Sequence, residues 1–262
     1  MGEALRSVPA NSPSGTGERP PTIDLAAVNA ALEGARAEDI VEWGLRTFGD
    51  SLVMTSSFGA ESALMLHLVS RVAPGLPVIF VDTGYLFPET YQFAEELSRR
   101  FSLRLEVYAP SLTAARLEAL HGRLWAGTED DLEAYGRITK VEPMDRALRE
   151  LRARAWLAGL RRSQTEFRSG LQHVTLQRGI YKLHPILAWS REDVQRAMVE
   201  HDLPYHPLYH FGYRSIGDVH STAPTQLGQD ERDGRALGMK RECGIHLPRS
   251  PEENASLRSS GL

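Results

Sequence analysis

Cysteine is nearly absent: Cys243 is the one thiol in 262 residues. A single thiol cannot close an internal disulfide, and it falls short of the four thiolates that usually hold an iron–sulfur cluster unless two chains meet. Oxidised or modified, Cys243 would find no second thiol in its own chain to resolve it, so any redox role needs an external dithiol. Also missing is an apolar run near the ~20 residues that span a bilayer. The first residues lack the basic-then-apolar order of a signal peptide, which makes the cytoplasm the expected address. Nor is there an excess of positive charge. Lys and Arg number 30 against 34 Asp and Glu, a net charge of −4, so no global field attracts nucleic acid or an acidic membrane. An anionic ligand must be met by a local cluster. Neither a GxGxxG fingerprint nor a GxxxxGK[ST] loop occurs, and no flavin, nicotinamide or metal motif is evident.

What is present points to one large α/β domain with appendages, since the length allows a substantial core. Residues 1–22 are rich in Ser, Pro and Gly and are expected to form a disordered leader. Residues 23–48 carry apolar residues at helical spacing with a break at Gly34. The stretch around which the chain can be arranged is Leu52–Glu89. It reads as strand (Leu52–Thr55), tight loop, apolar helix (Ala63, Leu64, Leu66, Leu68, Val69), strand (Pro77–Val81) and second loop. In the first loop Ser56, Ser57, Phe58 and Gly59 combine small hydroxyls with a glycine, so backbone N–H groups can turn toward a ligand. The helix that follows directs its positive dipole end at the same place, a natural site for a phosphate or sulfate. Asp82, Thr83 and Gly84 close the second strand at its carboxyl end, where open α/β sheets bind ligands. A plain strand–turn–helix connection explains the same pattern equally well.

Further on, Pro88–Phe101 reads as a helix, Leu103–Tyr108 as a third strand, and Pro143 as sitting in the first turn of a helix reaching about Leu151. Ala155–Ala158 is a short apolar fourth strand followed at once by Gly159, Leu160, Arg161 and Arg162. Two guanidiniums there could grip a phosphate in a bidentate way, or form a solvated basic turn. Ile180–Leu183 is a fifth strand, and Ser190 with Asp193 opens a helix over Arg191–His201. Beyond Leu203, recurrent Pro and Gly prevent long elements, and residues 204–247 are expected to form a mobile catalytic tail, with 248–262 a flexible end. His201, His206 and His210 invite a metal reading, but Pro204 and Pro207 break any helix that would align them. Near the end, Lys240, Arg241, Glu242, Cys243, Gly244, Ile245 and His246 place two cations before the cysteine and a histidine after it. Positive neighbours lower a thiol pKa and populate the nucleophilic thiolate.

SSFGAES, VDTGYLFPET, KVEPM, GLRR and KRECGIH, in this order over about Ser51–Leu247, resemble the phosphoadenylyl-sulfate (PAPS) reductases. The resemblance implies a doubly wound parallel sheet of the adenine-nucleotide, PP-loop type, usually a homodimer. It also implies reduction of PAPS to sulfite with thioredoxin or a glutaredoxin, and no bound cofactor. Carried over, it makes Cys243 the nucleophile and His246 a positioning group. Ser56, Ser57, Phe58, Gly59, Ser62, Asp82, Thr83 and Gly84 would hold the nucleotide, and Lys140, Arg161, Arg162, Arg232, Arg235 and Arg241 would meet its anionic charge. Cluster-bearing adenylyl-sulfate (APS) reductases of the same superfamily carry a Cys pair before KVxP and a CxxC after SIG. Here Tyr135 and Gly136 stand at the first place, Asp218 and Ser221 at the second. That implies the cluster-free, PAPS-using branch. A cluster-free APS reductase is the enzymatic alternative, and a PP-loop nucleotide module or ATP pyrophosphatase is the alternative of another class.

Overall fold

The computed structural model describes residues 23–177, 179–225, 233–234 and 245. Helices α1 (Leu25–Leu32) and α2 (Ala37–Phe48) lead into β1 (Leu52–Thr55), α3 (Ser62–Val72) and β2 (Pro77–Val81). Then come α4 (Pro88–Phe101), β3 (Arg104–Tyr108), α5 (Ala114–His121), α6 (Glu129–Gly136) and α7 (Glu142–Glu150). The chain continues through β4 (Ala155–Leu157), the single turn α8 (Glu166–Ser169), β5 (Val174–Gln177), β6 (Ile180–Leu183) and α9 (Arg191–Glu200). The strands make one six-stranded sheet in the order β3-β2-β1-β4-β6-β5. Every pairing is parallel except β5 with β6. Strand order reverses between β1 and β4, and a crevice opens beyond the carboxyl ends there.

Period-two alternation divides the central strands between two cores. Leu52, Met54, Val78 and Phe80 pack with α1 to α4 and α9, while Val53, Ile79 and Trp156 pack with Met144, Ala147 and Leu148 of α7. Both faces of the central sheet are thus covered, which is why β1 and β2 read as continuous apolar runs rather than alternating ones.

The sequence reading misses β5. Val174–Gln177 has only Val174 fully buried, and Thr175 and Gln177 dilute its apolar signal. Its partner β6 and the Asn29 side chain fix it instead. The Asn29 amide donates to Val174 O and its Oδ1 accepts from Val174 N, both at 2.8 Å. The sheet is therefore mostly, not wholly, parallel.

The segment after Leu203 is irregular, as expected. Among the described residues, 204–225 lie against the body of the domain. His206 N donates to Ala60 O at 3.1 Å, Leu86 bridges Asp218, and Val219 N donates to Tyr85 O at 2.8 Å. The Pro and Gly residues stop regular structure without stopping packing. The remainder of the expected tail, including Cys243, lies outside the described residues apart from 233–234 and Ile245, as does the leader 1–22.

His206, one of the three histidines of the metal reading, is fully buried with both ring nitrogens engaged. Nδ1 accepts from Leu208 N at 3.1 Å, leaving Nε2 as the donor to Thr90 Oγ1 at 3.0 Å. Burial lowers its pKa to about 4 despite the opposing charge of Glu89. As pH falls below the ordinary value of 6.5, the unfolded chain binds the proton first. The stability this neutral ring contributes is complete above pH 6.5 and is lost progressively toward about pH 4. His184, whose pKa burial lowers well below 6.5, acts with the same sign. Thermal melts between pH 7.5 and 4.5 are expected to show a falling midpoint in the wild type and a shallower fall in His206→Gln. Parallel curves would refute the assignment.

Candidate functional site

A cavity of about 300 Å³ occupies the crevice beyond β2, β1 and β4. Its floor is apolar, from Met54, Leu64, Met65, Ile79, Phe80, Ala158 and Ile186, and its rim is polar. The loop after β1 supplies one side of that rim. Ser56, Ser57, Gly59 and Ser62 line the cavity, and α3 begins there without any side-chain hydrogen bond capping it. Two of its first N–H groups are engaged locally, Ser62 N with Gly59 O and Leu64 N with Glu61 O, both at 3.2 Å; a helix start offers an anion its remaining N–H groups and its positive dipole end.

Phe58, expected to hold nucleotide, does something else. It is fully buried and packs edge-on against Phe80 at 4.9 Å between ring centroids, outside the cavity lining. Its φ of +47° is a left-handed conformation that a bulky residue adopts only under constraint. The anchored ring, together with the Phe58 N–H donated to Ser56 Oγ at 3.1 Å, holds the loop's turn. At the opposite wall Gly159 is required by proximity: a Cβ there would come within 2.9 Å of Met65 Cγ.

The second loop divides between two roles. Thr83 lines the cavity, whereas Asp82 and Gly84 do not. Asp82 Oδ1 accepts from Gly84 N at 2.8 Å and from Tyr91 OH at 2.7 Å, so this carboxylate shapes the turn. Gly84, at φ +78°, supplies the left-handed step the turn needs. Placing all three at the ligand was a consequence of their position at a strand end; side-chain direction separates them.

Two carboxylates line the cavity, Glu61 and Asp218, and the sequence reading noted Asp218 only as standing where relatives have cysteine. Asp218 is 0% exposed. Lys140 Nζ lies 2.5 Å from Oδ2, Tyr135 OH donates to Oδ2 at 3.0 Å, and Thr83 Oγ1 donates to Oδ1 at 2.6 Å. Burial and the Asp218 charge push the Tyr135 phenol far above its usual pKa, so it stays a donor. Tyr85, Tyr135 and Trp125 surround His220 at 4.5–5.2 Å between ring centroids, and Tyr85 and Tyr135 meet each other at 5.7 Å. Lys140 reaches Asp218 from a π-helical turn, Arg137–Val141, whose extra residue redirects the side chain.

The basic turn after β4 is also divided. Arg161, 3% exposed, lines the cavity and pairs with Glu61 at 3.0 Å. Arg162 turns away, donating from Nε to Leu171 O at 3.1 Å and lying 3.8 Å from Glu33. Arg161 is extended, at φ −120° and ψ 141°, whereas Arg162 opens the 3₁₀ turn Arg162–Gln164, and the two side chains leave the backbone in different directions. Two cations absent from the sequence reading also line the cavity, Arg168 and Arg214. Arg168 is 2% exposed and bonded to Gln164. Their signal was available only as isolated arginines in loop-rich stretches. Arg232, Arg235, Arg241, Cys243 and His246 lie outside the described residues, but Ile245 lines the cavity and packs on the Val53, Ile79 and Met144 cluster.

A mostly parallel sheet with serines, an uncapped helix start and guanidiniums converging beyond its strand ends defines an α/β protein of the PP-loop nucleotide-binding type. Similarity of fold alone, at 18% identity, extends to the FMN adenylyltransferase of Candida glabrata, with a TM-score of 0.53 over 88% of this chain and 82% of that one. Within this class a family model described as the phosphoadenosine phosphosulfate reductase domain matches residues 51–224, and the chain belongs to that family. It is 51% identical over 242 residues to a phosphoadenosine 5′-phosphosulfate reductase of Synechocystis, covering 92% of this chain and 97% of the relative. A reductase of the same name from Xylella fastidiosa is 50% identical over 227 residues, 87% and 96% of the two chains. The crystal structure of the Candida auris PAPS reductase, a phosphate complex, superposes with a TM-score of 0.68 at 30% identity, over 77% of this chain and 98% of that one.

Proposed function

We propose that this protein reduces 3′-phosphoadenylyl sulfate to sulfite and adenosine 3′,5′-bisphosphate with electrons from thioredoxin or a glutaredoxin, through an S-sulfocysteine on Cys243. The observation that carries the site is Ile245. Two positions beyond Cys243, it lines the cavity beside Lys140 and Met144, so the last described piece of the chain reaches the same crevice as the nucleotide loop. Family membership supports the reaction class, an oxidoreductase acting on a sulfur group.

In this reading the thiolate of Cys243 attacks the sulfur of the activated sulfate, and the bond from that sulfur to the bridging phosphate oxygen breaks. The nucleotide bisphosphate leaves with the electron pair. A thiolate of the external dithiol then attacks Sγ of Cys243, sulfite leaves, and the dithiol's second sulfur resolves the mixed disulfide. The two electrons come from the dithiol. Ser56, Ser57, Gly59, Ser62 and the start of α3 hold phosphate, and Lys140 stands against the transferring group's negative charge. A homodimer and a cytoplasmic location complete the proposal; none of the described helices is long and apolar enough to cross a membrane.

The test is mass spectrometry of the whole protein mixed with PAPS in the absence of thiol. One added sulfonate on Cys243, discharged as sulfite when reduced thioredoxin is supplied, is the expected result. An unmodified protein that nonetheless forms sulfite would remove the covalent step.

A further inference from the structure

We infer that His220 is a positioning residue for the transfer step: its ring, set among three aromatic side chains, holds Tyr135 and through it places the Lys140 ammonium. The inference rests on the reading above; His220 itself does not line the cavity.

Lys140 is held from two directions. Its Nζ pairs with Asp218 at 2.5 Å and lies 5.5 Å from the centre of the Tyr135 ring, whose hydroxyl donates to the same carboxylate at 3.0 Å. Where the ammonium points therefore depends on where the Tyr135 ring stands. Tyr135 is the penultimate residue of α6, and the segment that carries it has little apolar surface of its own to fix it on the domain. In α5, the short turn Leu124–Ala126 and α6 together, the buried residues are Leu117 and Tyr135. Such a segment needs contacts from outside to hold one position.

His220 supplies them. It lies two residues beyond Asp218, in the 3₁₀ turn Val219–Ser221. Its ring stacks on Trp125 at 4.5 Å and 22°, and meets the Tyr135 and Tyr85 rings edge-on at 5.1 and 5.2 Å. Trp125 is tied to α5 in turn, its Nε1 donating to Glu118 Oε1 at 3.2 Å. One imidazole thus joins α5, α6 and the Asp218 segment, and the stacked and edge-to-face contacts are the orientations aromatic rings prefer. The ring acts through its shape. Its Nε2 is buried without a hydrogen-bond partner among the described residues, so that nitrogen takes no part in a proton relay. Burial lowers the pKa of the ring against the opposing charge of Asp218, and a neutral ring adds no second positive charge beside Lys140.

The test separates placement from binding. His220→Ala is expected to slow single-turnover formation of S-sulfonated protein from PAPS, without thiol, by roughly 10- to 100-fold, the scale on which a small misplacement at a reacting centre is felt. Affinity for adenosine 3′,5′-bisphosphate, measured by calorimetry, should be nearly unchanged. His220→Phe keeps a flat ring and is expected to recover most of the rate. Trp125→Leu removes the other half of the stack, so the double variant His220→Ala, Trp125→Leu should be no slower than the worse of the two single variants. A His220→Ala protein of wild-type rate, one that loses rate and affinity alike, a His220→Phe protein as slow as His220→Ala, or losses that multiply in the double variant would each overturn the inference. Failure of the underlying reading shows separately, as a wild-type protein that gains no sulfonate on Cys243.

Discussion

Replacing Cys243 with serine is expected to lower sulfite formation from PAPS by roughly 10³-fold or more, the scale on which loss of a covalent nucleophile is felt. Binding of adenosine 3′,5′-bisphosphate should be nearly intact. The expected asymmetry follows from the division of labour in the site. Serine is nearly isosteric but is not ionised at neutral pH, so it cannot attack sulfur; the residues proposed to hold the nucleotide, Ser56, Ser57 and Gly59 with the start of α3 and the cavity's cations, do not include it. A serine variant that keeps most of its activity removes Cys243 from the chemistry. One that loses nucleotide binding in proportion makes Cys243 part of the pocket's structure instead.

Asp218→Asn is expected to be the most damaging change among the described residues. Asparagine keeps one acceptor oxygen, for Thr83 or for Tyr135 but not for both, and it leaves the Lys140 ammonium without its counter-charge in a corner where Lys140 is only 18% exposed. Breaking a buried pair costs about 3 kcal/mol, which for a chain of this length lowers the melting midpoint by roughly 6–12 °C. The same change frees Lys140 from its fixed position, so kcat/KM for PAPS should fall about tenfold or more. Thermal melts and steady-state kinetics on the same preparation check both. A variant that is as stable as the wild type, or that binds PAPS more tightly because a negative charge has gone, would show that Asp218 opposes the substrate rather than positioning Lys140.

Much of the fold was legible because local patterns carry it. The apolar runs of β1 and β2, the helix between them, Pro143 in the first turn of α7 and the Ser190–Asp193 capping box all depend on residues close in the chain, and each formed as read. The edge strand β5 was not legible because its stability comes from Asn29 and β6 rather than from its own alternation. In the segment after Leu203, Pro and Gly forecast irregular backbone, and the packing of residues 204–225 on the domain was not legible from them. The buried His206 and Asp218 fasten it, and each finds its partner more than a hundred residues away.

The candidate site divides in the same way. Ser56, Ser57, Gly59, Thr83 and Arg161, which stand at strand ends, and Ser62 and Lys140, which the resemblance named, all line the one cavity. Which member of a neighbouring pair faces inward did not follow. Arg161 points in and Arg162 out, Thr83 in and Asp82 away, and Phe58 anchors the loop from below.

By itself, then, the sequence determined the order of the helices it read and of every strand but β5, the composition of the loop after β1 and the presence of a single thiol, since each is a property of local spacing or of a residue count. Only the tertiary structure decided which charges cancel. Lys140 with Asp218 and Arg161 with Glu61 are neutralised by residues remote in the chain, and Arg214 is left with an aromatic face. The physical reason is that Coulomb and hydrogen-bond energies depend on distances of a few ångströms across the crevice, and those distances exist only once the sheet has brought the carboxyl ends of β2, β1 and β4 side by side.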